Sequence, residues 1–271
     1  MRLIRELGRG AFGVVHEAIV DESTVAFKEL ANADERAKEA FTRVHSLDHR
    51  NLVKLHDWID GRGFTMELVR GVDVVTFVRG APSETFESGR PNIPVAFGQR
   101  LQPEGTSAYQ HIPAESVSKL RQLLPGLISG LKYLHDAGIV HGDIRPTNIL
   151  ANFDRLVLVD FGLSRSHDDG SPYESSPAYA PPELTPSPLA DWYGVGTVLF
   201  ECLTGQLPFI GSAQHVLVTK ATLPPPRPSF LVGSVPDDLD DLTIGLLSRI
   251  PEKRVVAVDT FMSRLLSSSP A

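Results

Sequence analysis

Residues 141–162 read His141-Gly-Asp143-Ile-Arg145-Pro-Thr-Asn148-Ile-Leu150-Ala-Asn-Phe-Asp-Arg-Leu-Val-Leu-Val-Asp160-Phe-Gly162. An acid is followed five residues later by an amide, then by an apolar run, then by a second acid ahead of Phe-Gly. Phosphoryl transfer from ATP needs such a set. Asp143 can orient a substrate hydroxyl and accept its proton late. Asn148 and Asp160 carry the hard oxygens that hold magnesium against phosphates. Arg145 can neutralise the transferring phosphate. Leu156–Val159 is predicted to be a short buried strand that delivers Asp160. His141 reads as a core histidine rather than a base.

Upstream, Gly8-Arg9-Gly10-Ala11-Phe12-Gly13-Val14-Val15 is followed at short range by Val25-Ala26-Phe27-Lys28. Three glycines let backbone approach phosphates without Cβ clashes, and Lys28 offers an ammonium. On its own the pattern also fits a plain hairpin with a surface lysine. A dinucleotide site would want a helix after the glycines, whereas strand residues follow here. Arg2 to about Val69 is predicted to form short strands with one helix, over Ala33–Leu47. Phe64–Val69 is predicted to be a strand ending at Gly71, offering backbone groups to an adenine edge.

Downstream, helices are predicted from about Ser116, with Val117, Leu120, Leu124, Leu127, Ile128, Leu131 and Leu134 on one face. Pro125 inside that helix should cost about 3 kcal/mol unless a kink absorbs it. Asp191–Leu203 and Leu239–Leu247 are further predicted helices. Gly80–Glu115 carries no predicted element, and Thr222–Pro236 reads as an extended, Pro-rich connector. Ser267–Ala271 reads as a frayed end. Ser176-Pro-Ala-Tyr-Ala-Pro-Pro-Glu183, with Asp191 and Arg254, places charges in apolar surroundings, where they need partners. Glu183 is expected to pair with Arg254, and Asp191 to accept hydrogen bonds from the 141–148 loop.

The 271 residues are 42% hydrophobic, enough for one large core or two small ones. The net charge of -7 and pI near 5.7 argue against nucleic acid as the main partner. A single cysteine, Cys202, excludes an intrachain disulfide and suits a reducing, cytoplasmic compartment. It reads as a small buried hydrophobe. The beginning shows no charged-then-apolar leader, and no apolar run has membrane-spanning length. The apolar stretch Tyr193–Leu203 reads as a core helix.

These motifs together resemble the eukaryotic-type (Hanks-type) Ser/Thr protein kinase family, in a bacterial-like form, from about Leu3 to Leu266. The resemblance implies an α+β, two-lobed protein kinase fold over 1–271. A small antiparallel β lobe with one helix would span about 1–69. A larger, mainly helical lobe would span about 70–271, with an irregular insertion at about 80–115. It implies ATP and Mg2+ in the cleft. Gly8, Arg9, Gly10 and Gly13 would cover the phosphates and Lys28 would hold them. Met66 would be the gatekeeper, Glu67 and Val69 would present backbone groups to adenine, and Val15, Ala26 and Leu150 would sandwich the base. Asp143, Arg145 and Lys28 would be catalytic, with Asn148 and Asp160 on the metal. The implied activity is that of a non-specific serine/threonine kinase. Its partners would be Ser/Thr protein substrates and additional regulatory domains or partner proteins. The alternative is a pseudokinase that binds nucleotide or a partner without transfer.

Some residues depart from the family pattern. The first-helix glutamate that pairs with the lysine falls on Ala40; either Glu39 or Glu35 serves, or the pair is absent. Gly142 stands where many members carry an arginine that meets an activation-segment phosphate, which predicts activity independent of such phosphorylation. Arg145 stands where Ser/Thr kinases usually have lysine, and keeps the charge. Pro181 replaces an alanine at the end of the activation segment and reads as tolerated there. Ser176 favours Ser/Thr over Tyr substrates.

Overall fold

The computed structural model describes residues 1–10, 13–80, 111–161 and 176–267. The first part of the chain builds a five-stranded antiparallel sheet. Its strands are β1 (Arg2–Gly10), β2 (Gly13–Val20), β3 (Ser23–Leu30), β4 (Leu55–Ile59) and β5 (Gly63–Met66), in the order β1-β2-β3-β5-β4. Strand side chains alternate between faces, and directly paired residues share a face. Val15 pairs with Lys28, Lys28 with Phe64, and Ala26 with Met66, so these five point one way. The other face buries Ala18, Val25 and Phe27 against Val20 and Ile59.

The helix α1 (Glu35–Val44) starts where the Asp34 carboxylate accepts from the Ala37 N–H at 2.9 Å. Ala40, Phe41 and Val44 form its buried stripe. Phe41 lies 5.5 Å from Phe64 and 5.6 Å from Trp58, which fixes the helix against the lysine-bearing face. The hairpin joining β1 to β2 closes with Gly10 opposite Gly13, so hairpin and glycine loop are the same object. Gly13 has φ 144°, and a Cβ there would meet the Glu29 carbonyl oxygen at 2.0 Å. Gly13→Ala is therefore expected to destabilise the protein by about 1–3 kcal/mol, read as a shift in the denaturant midpoint.

A second sheet, β6 (Val72–Asp73), β7 (Ile149–Ala151) and β8 (Leu156–Leu158), sits at the start of the helical part. Residues 51–53 from the first part are stitched onto it. Leu158 N–H donates to the Asn51 carbonyl at 2.8 Å, and Val53 N–H to the Leu158 carbonyl at 2.9 Å. Asn51 is held in a notch of α3 (Ala114–Asp136), where a Cβ on Gly126 would lie 2.7 Å from its amide nitrogen. That nitrogen donates to the Leu156 carbonyl at 2.7 Å.

The remaining helices are α2 (Val74–Arg79), α4 (Pro188–Thr204), α5 (Ala213–Thr222), α6 (Pro228–Leu231), α7 (Asp237–Leu246) and α8 (Glu252–Ser267). α4 is buried from Ala190 to Thr204 and includes Cys202, which lies in the core as expected. Gly194 lets it press onto the 141–148 loop, since a Cβ there would meet Ile144 Cβ at 2.7 Å. The architecture is α+β and two-lobed, with the antiparallel sheet first and the helical part after it. Among the described residues no helix is long and apolar enough to cross a membrane.

Several elements differ from the sequence reading. β5 ends at Met66 rather than Val69, because the Glu67 N–H turns to the Lys54 carbonyl at 2.8 Å. β4, β6, β7, α2, α5 and α8 are additional to the expected elements. α3 begins at Ala114, behind Pro113, and continues through Pro125. Of the expected insertion Gly80–Glu115, residues 114–115 belong to α3 and the Ile112 N–H meets the Gly233 carbonyl at 3.0 Å, while 81–110 lies outside the described residues. The Pro-rich connector contains the short α6. Ser267 closes α8, and the rest of the expected frayed end, 268–271, lies outside the described residues.

Candidate active site

β3 brings Lys28 to the sheet face that meets the helical part, 6% exposed. β8 runs into Val159, whose N–H donates to the Asn148 carbonyl at 3.0 Å, and then into Asp160. Asp160 has φ 62°, in the left-handed region that a non-glycine residue adopts only when its surroundings impose it. Its Oδ1 lies 2.7 Å from Lys28 Nζ, joining residues 132 apart. Pairing offsets the desolvation of a buried ammonium.

A 3-10 turn at Pro146–Asn148 turns the Asn148 amide back onto Asp143. Asn148 Nδ2 donates to the Asp143 carbonyl at 2.8 Å and to its Oδ2 at 2.9 Å. Both amide hydrogens of Asn148 are thereby spent within the loop, and its side-chain carbonyl oxygen remains as the atom that can face a cation. The loop is held from below by Asp191 of α4. That carboxylate accepts the His141 N–H at 2.8 Å and the Gly142 N–H at 2.9 Å, and lies 2.9 Å from His135 Nε2. The role expected of Asp191 is met. Gly142 has φ 80°, a conformation its missing side chain makes easy.

His141 is buried edge-on to Phe161, with ring centroids 6.3 Å apart. Burial pushes its imidazole below the ordinary value, against the raising effect of Asp191, Asp143 and Asp160. It is a buried core ring, in keeping with the sequence reading. Arg145 Nε is buried and has no hydrogen-bond partner among the described residues. A buried cationic donor of this kind suits an anionic group.

The helix glutamate is absent. Ala40 occupies the inward position of α1, while Glu35 and Glu39 are exposed. The carboxylate paired with Lys28 among the described residues is Asp160. The physical reason is register: Glu39 precedes the buried stripe by one residue, about 100° around the helix.

Around the expected base pocket, Val15, Ala26, Met66, Val69 and Leu150 belong to one continuous apolar cluster. Glu67 is more engaged than expected. Its N–H is taken by Lys54, and its carboxylate pairs with Arg155, which also donates to the Arg50 carbonyl at 2.9 Å. Of its backbone groups, the carbonyl is the one left for an adenine edge. Gly8 and Gly10 lie on β1 and Gly13 opens β2, while exposed Arg9 bonds Glu6 at 2.8 Å. Ala11, Phe12 and Gly162 lie outside the described residues.

The 176–183 segment is tied down by buried charges. Arg254, fully buried, grips Glu183 with two bonds of 2.6 and 2.9 Å, and donates to the carbonyls of Leu189 at 2.9 Å and Ser248 at 3.0 Å. The expected pairing is present. Tyr179 donates to Glu201 at 2.8 Å, and Lys220 reaches the same segment. The sequence reading does not single out Tyr179, Glu201 or Lys220 for these roles. An acid inside an apolar helix, and a lysine four residues after the buried Val216, were the available signals.

One carboxylate, Asp160, and one amide oxygen, that of Asn148, suit magnesium that arrives with phosphates, since that ion keeps few protein ligands. Among the described residues no cluster of three His, Cys, Asp or Glu forms a metal site independent of a substrate.

The chain matches the protein kinase domain model over residues 1–265. It is 29% identical over 277 residues to serine/threonine-protein kinase PknE of Mycobacterium bovis, covering 94% of this chain and 44% of that protein. It is 27% identical over 292 residues to serine/threonine-protein kinase ATG1c of Arabidopsis thaliana, covering 97% and 35%. A 32% match over 146 residues to the probable serine/threonine-protein kinase PkwA of Thermomonospora curvata covers 51% of this chain and 19% of that protein. The chain spans less than half the length of each of these relatives.

Proposed function

Because the chain belongs to the protein kinase family, we propose that it transfers the γ-phosphate of ATP to Ser or Thr hydroxyls of protein substrates. The observation that carries this reading is the 2.7 Å contact of Lys28 with Asp160, beside an Asp143 held by Asn148. The convergence of these four residues, from distant parts of the chain, supports a single triphosphate site.

Lys28 would hold the α- and β-phosphates once nucleotide draws it from Asp160. Asp160 and the Asn148 side-chain carbonyl would hold Mg2+, which when bound neutralises charge on the β- and γ-phosphate oxygens. Asp143 would orient the substrate hydroxyl toward the γ-phosphorus and take its proton as the bond forms. Arg145 would hold the transferring group. Gly8, Arg9, Gly10 and Gly13 would cover the phosphates, while Val15, Ala26 and Leu150 would enclose the base. Met66 would close the back of that pocket, and the Glu67 carbonyl and Val69 backbone would meet the adenine edge.

The missing helix carboxylate favours a second reading, a pseudokinase that binds nucleotide or a partner without transfer. Radiolabel transfer to a generic Ser/Thr substrate, measured beside the melting shift with ATP and magnesium, separates the two. Transfer together with a shift supports the kinase; a shift without transfer supports the pseudokinase. Gly142 leaves no arginine for an activation-segment phosphate. Replacing Ser164, Ser166, Ser171, Tyr173, Ser175 and Ser176 in small groups is therefore expected to preserve turnover. A phosphate-dependent loss, separable from Ser176 packing, would contradict this. Of these residues, only Ser176 is within the described part of the chain. A cytoplasmic location, and regulation by further domains or partner proteins, belong to the same proposal.

A further inference from the structure

α5 buries two residues, Val216 and, one turn later, Lys220. Lys220 is 1% exposed. Its Nζ donates to the carbonyl of Pro177 at 2.5 Å and to that of Ala180 at 2.6 Å, and lies 5.4 Å from the centre of the Tyr193 ring. Among the described residues no carboxylate is within ion-pair distance of it. Two carbonyls and a ring compensate poorly for the lost hydration of an ammonium, and a methionine of similar length would fill the space at less desolvation cost. The contribution of the lysine is therefore geometric. It draws two carbonyls, three residues apart in the chain, to one point.

Resting on the kinase reading, we propose that Lys220 is a positioning residue for the protein substrate. It clamps residues 176–183 in the shape that receives the residues flanking the phosphorylated hydroxyl. The clamp is the third buried anchor of that segment, beside Tyr179 with Glu201 and Glu183 with Arg254. It is the anchor that grips backbone in the middle of the segment, where side-chain identity does not matter.

The groups around Lys220 are Tyr193 of α4, Arg254 of α8, which also stacks on that ring at 5.1 Å, and Glu183 of the segment. Burial pushes the Tyr193 phenol up, and the nearby Arg254 opposes this. Burial lowers Lys220 from 10.5 to about 8, with Glu183 opposing the shift. Two pH effects of opposite sign follow. Between about 8 and 10.5 the unfolded chain binds the extra proton, so the contribution of this group to stability rises with pH. Over the same rise through about 8 the amine loses its charge, its hydrogen bonds weaken, and the clamp loosens.

The test compares the wild type with Lys220→Met and Lys220→Arg. Its readouts are kcat, the KM for a Ser/Thr peptide, the KM for ATP, and amide hydrogen exchange of residues 176–184 without nucleotide. Lys220→Met is expected to raise the peptide KM about tenfold and to leave the ATP KM unchanged. It should speed exchange within 176–184 alone, and Lys220→Arg should restore part of both. The wild-type peptide KM should rise with pH through about 8 while that of the Met variant stays flat. The wild-type half of this pH series stands even if neither variant folds, and a flat wild-type profile would count against the clamp. Unchanged peptide KM and unchanged exchange in Lys220→Met would overturn the proposal. A wild type that transfers no phosphate would end the kinase reading instead; the exchange comparison would then still decide whether Lys220 sets the shape of the segment.

Discussion

Asp143→Asn will lower phosphate transfer by about 10²–10⁴-fold and leave the melting temperature in place. The substitution keeps shape and hydrogen bonding. Asn148 Nδ2 reaches the Asp143 backbone carbonyl at 2.8 Å, a bond the mutation does not touch, and the Oδ2 it meets at 2.9 Å can be replaced by the amide oxygen. The loop is held independently by Asp191 through two backbone N–H groups. What disappears is a group that can take the hydroxyl proton. Steady-state transfer and a thermal melt on the same preparation decide the matter. Unchanged turnover would remove Asp143 from the mechanism, and a collapse of the melt would make its role structural.

Glu183→Ala should destabilise the protein by about 3–5 kcal/mol, because it leaves the fully buried Arg254 guanidinium without its carboxylate. The carbonyls of Leu189 and Ser248 remain as acceptors, but neither carries a full charge. For a chain of this size the loss corresponds to about 6–20 °C in melting temperature. Glu252→Ala, an exposed neighbour of Arg254 in sequence, is the control and should fall within about 0.5 kcal/mol of the wild type. Equal effects of the two substitutions would mean that the buried pair contributes nothing beyond surface charge.

The proposed roles of Asp143, Asn148 and Asp160 were legible because their spacing lies within one stretch. Asp143 and Asn148 are joined by a single turn, and a three-residue strand carries the chain to Asp160. Glu183 with Arg254 was legible for another reason: buried opposite charges need each other wherever they fall in sequence. The partner of Lys28 was not. Counting along α1 put Ala40 at the inward position, but which carboxylate would take its place depends on how β8 meets β3, a tertiary fact. β4 escaped because Leu55-His-Asp-Trp-Ile59 is short and has two exposed residues near its centre. The end of β5 at Met66 escaped because the Glu67 N–H goes to the Lys54 carbonyl at 2.8 Å. That bond is non-local, and the apolar run through Val69 carries no sign of it. Lys220 escaped because a lysine on a helix is ordinarily solvated, and only its place on the stripe with Val216 marks it out.

Asn51 rests in a notch that exists because α3 lacks side chains at Gly126 and Gly130, where a Cβ would come within 2.7 and 3.1 Å of it. The same asparagine holds the Leu156 carbonyl, four residues ahead of Asp160. A single methyl group gained on α3 would therefore push on the strand that leads to Asp160. A screen for inactivating mutations should find hits at these two glycines, although neither carries a side chain to the site.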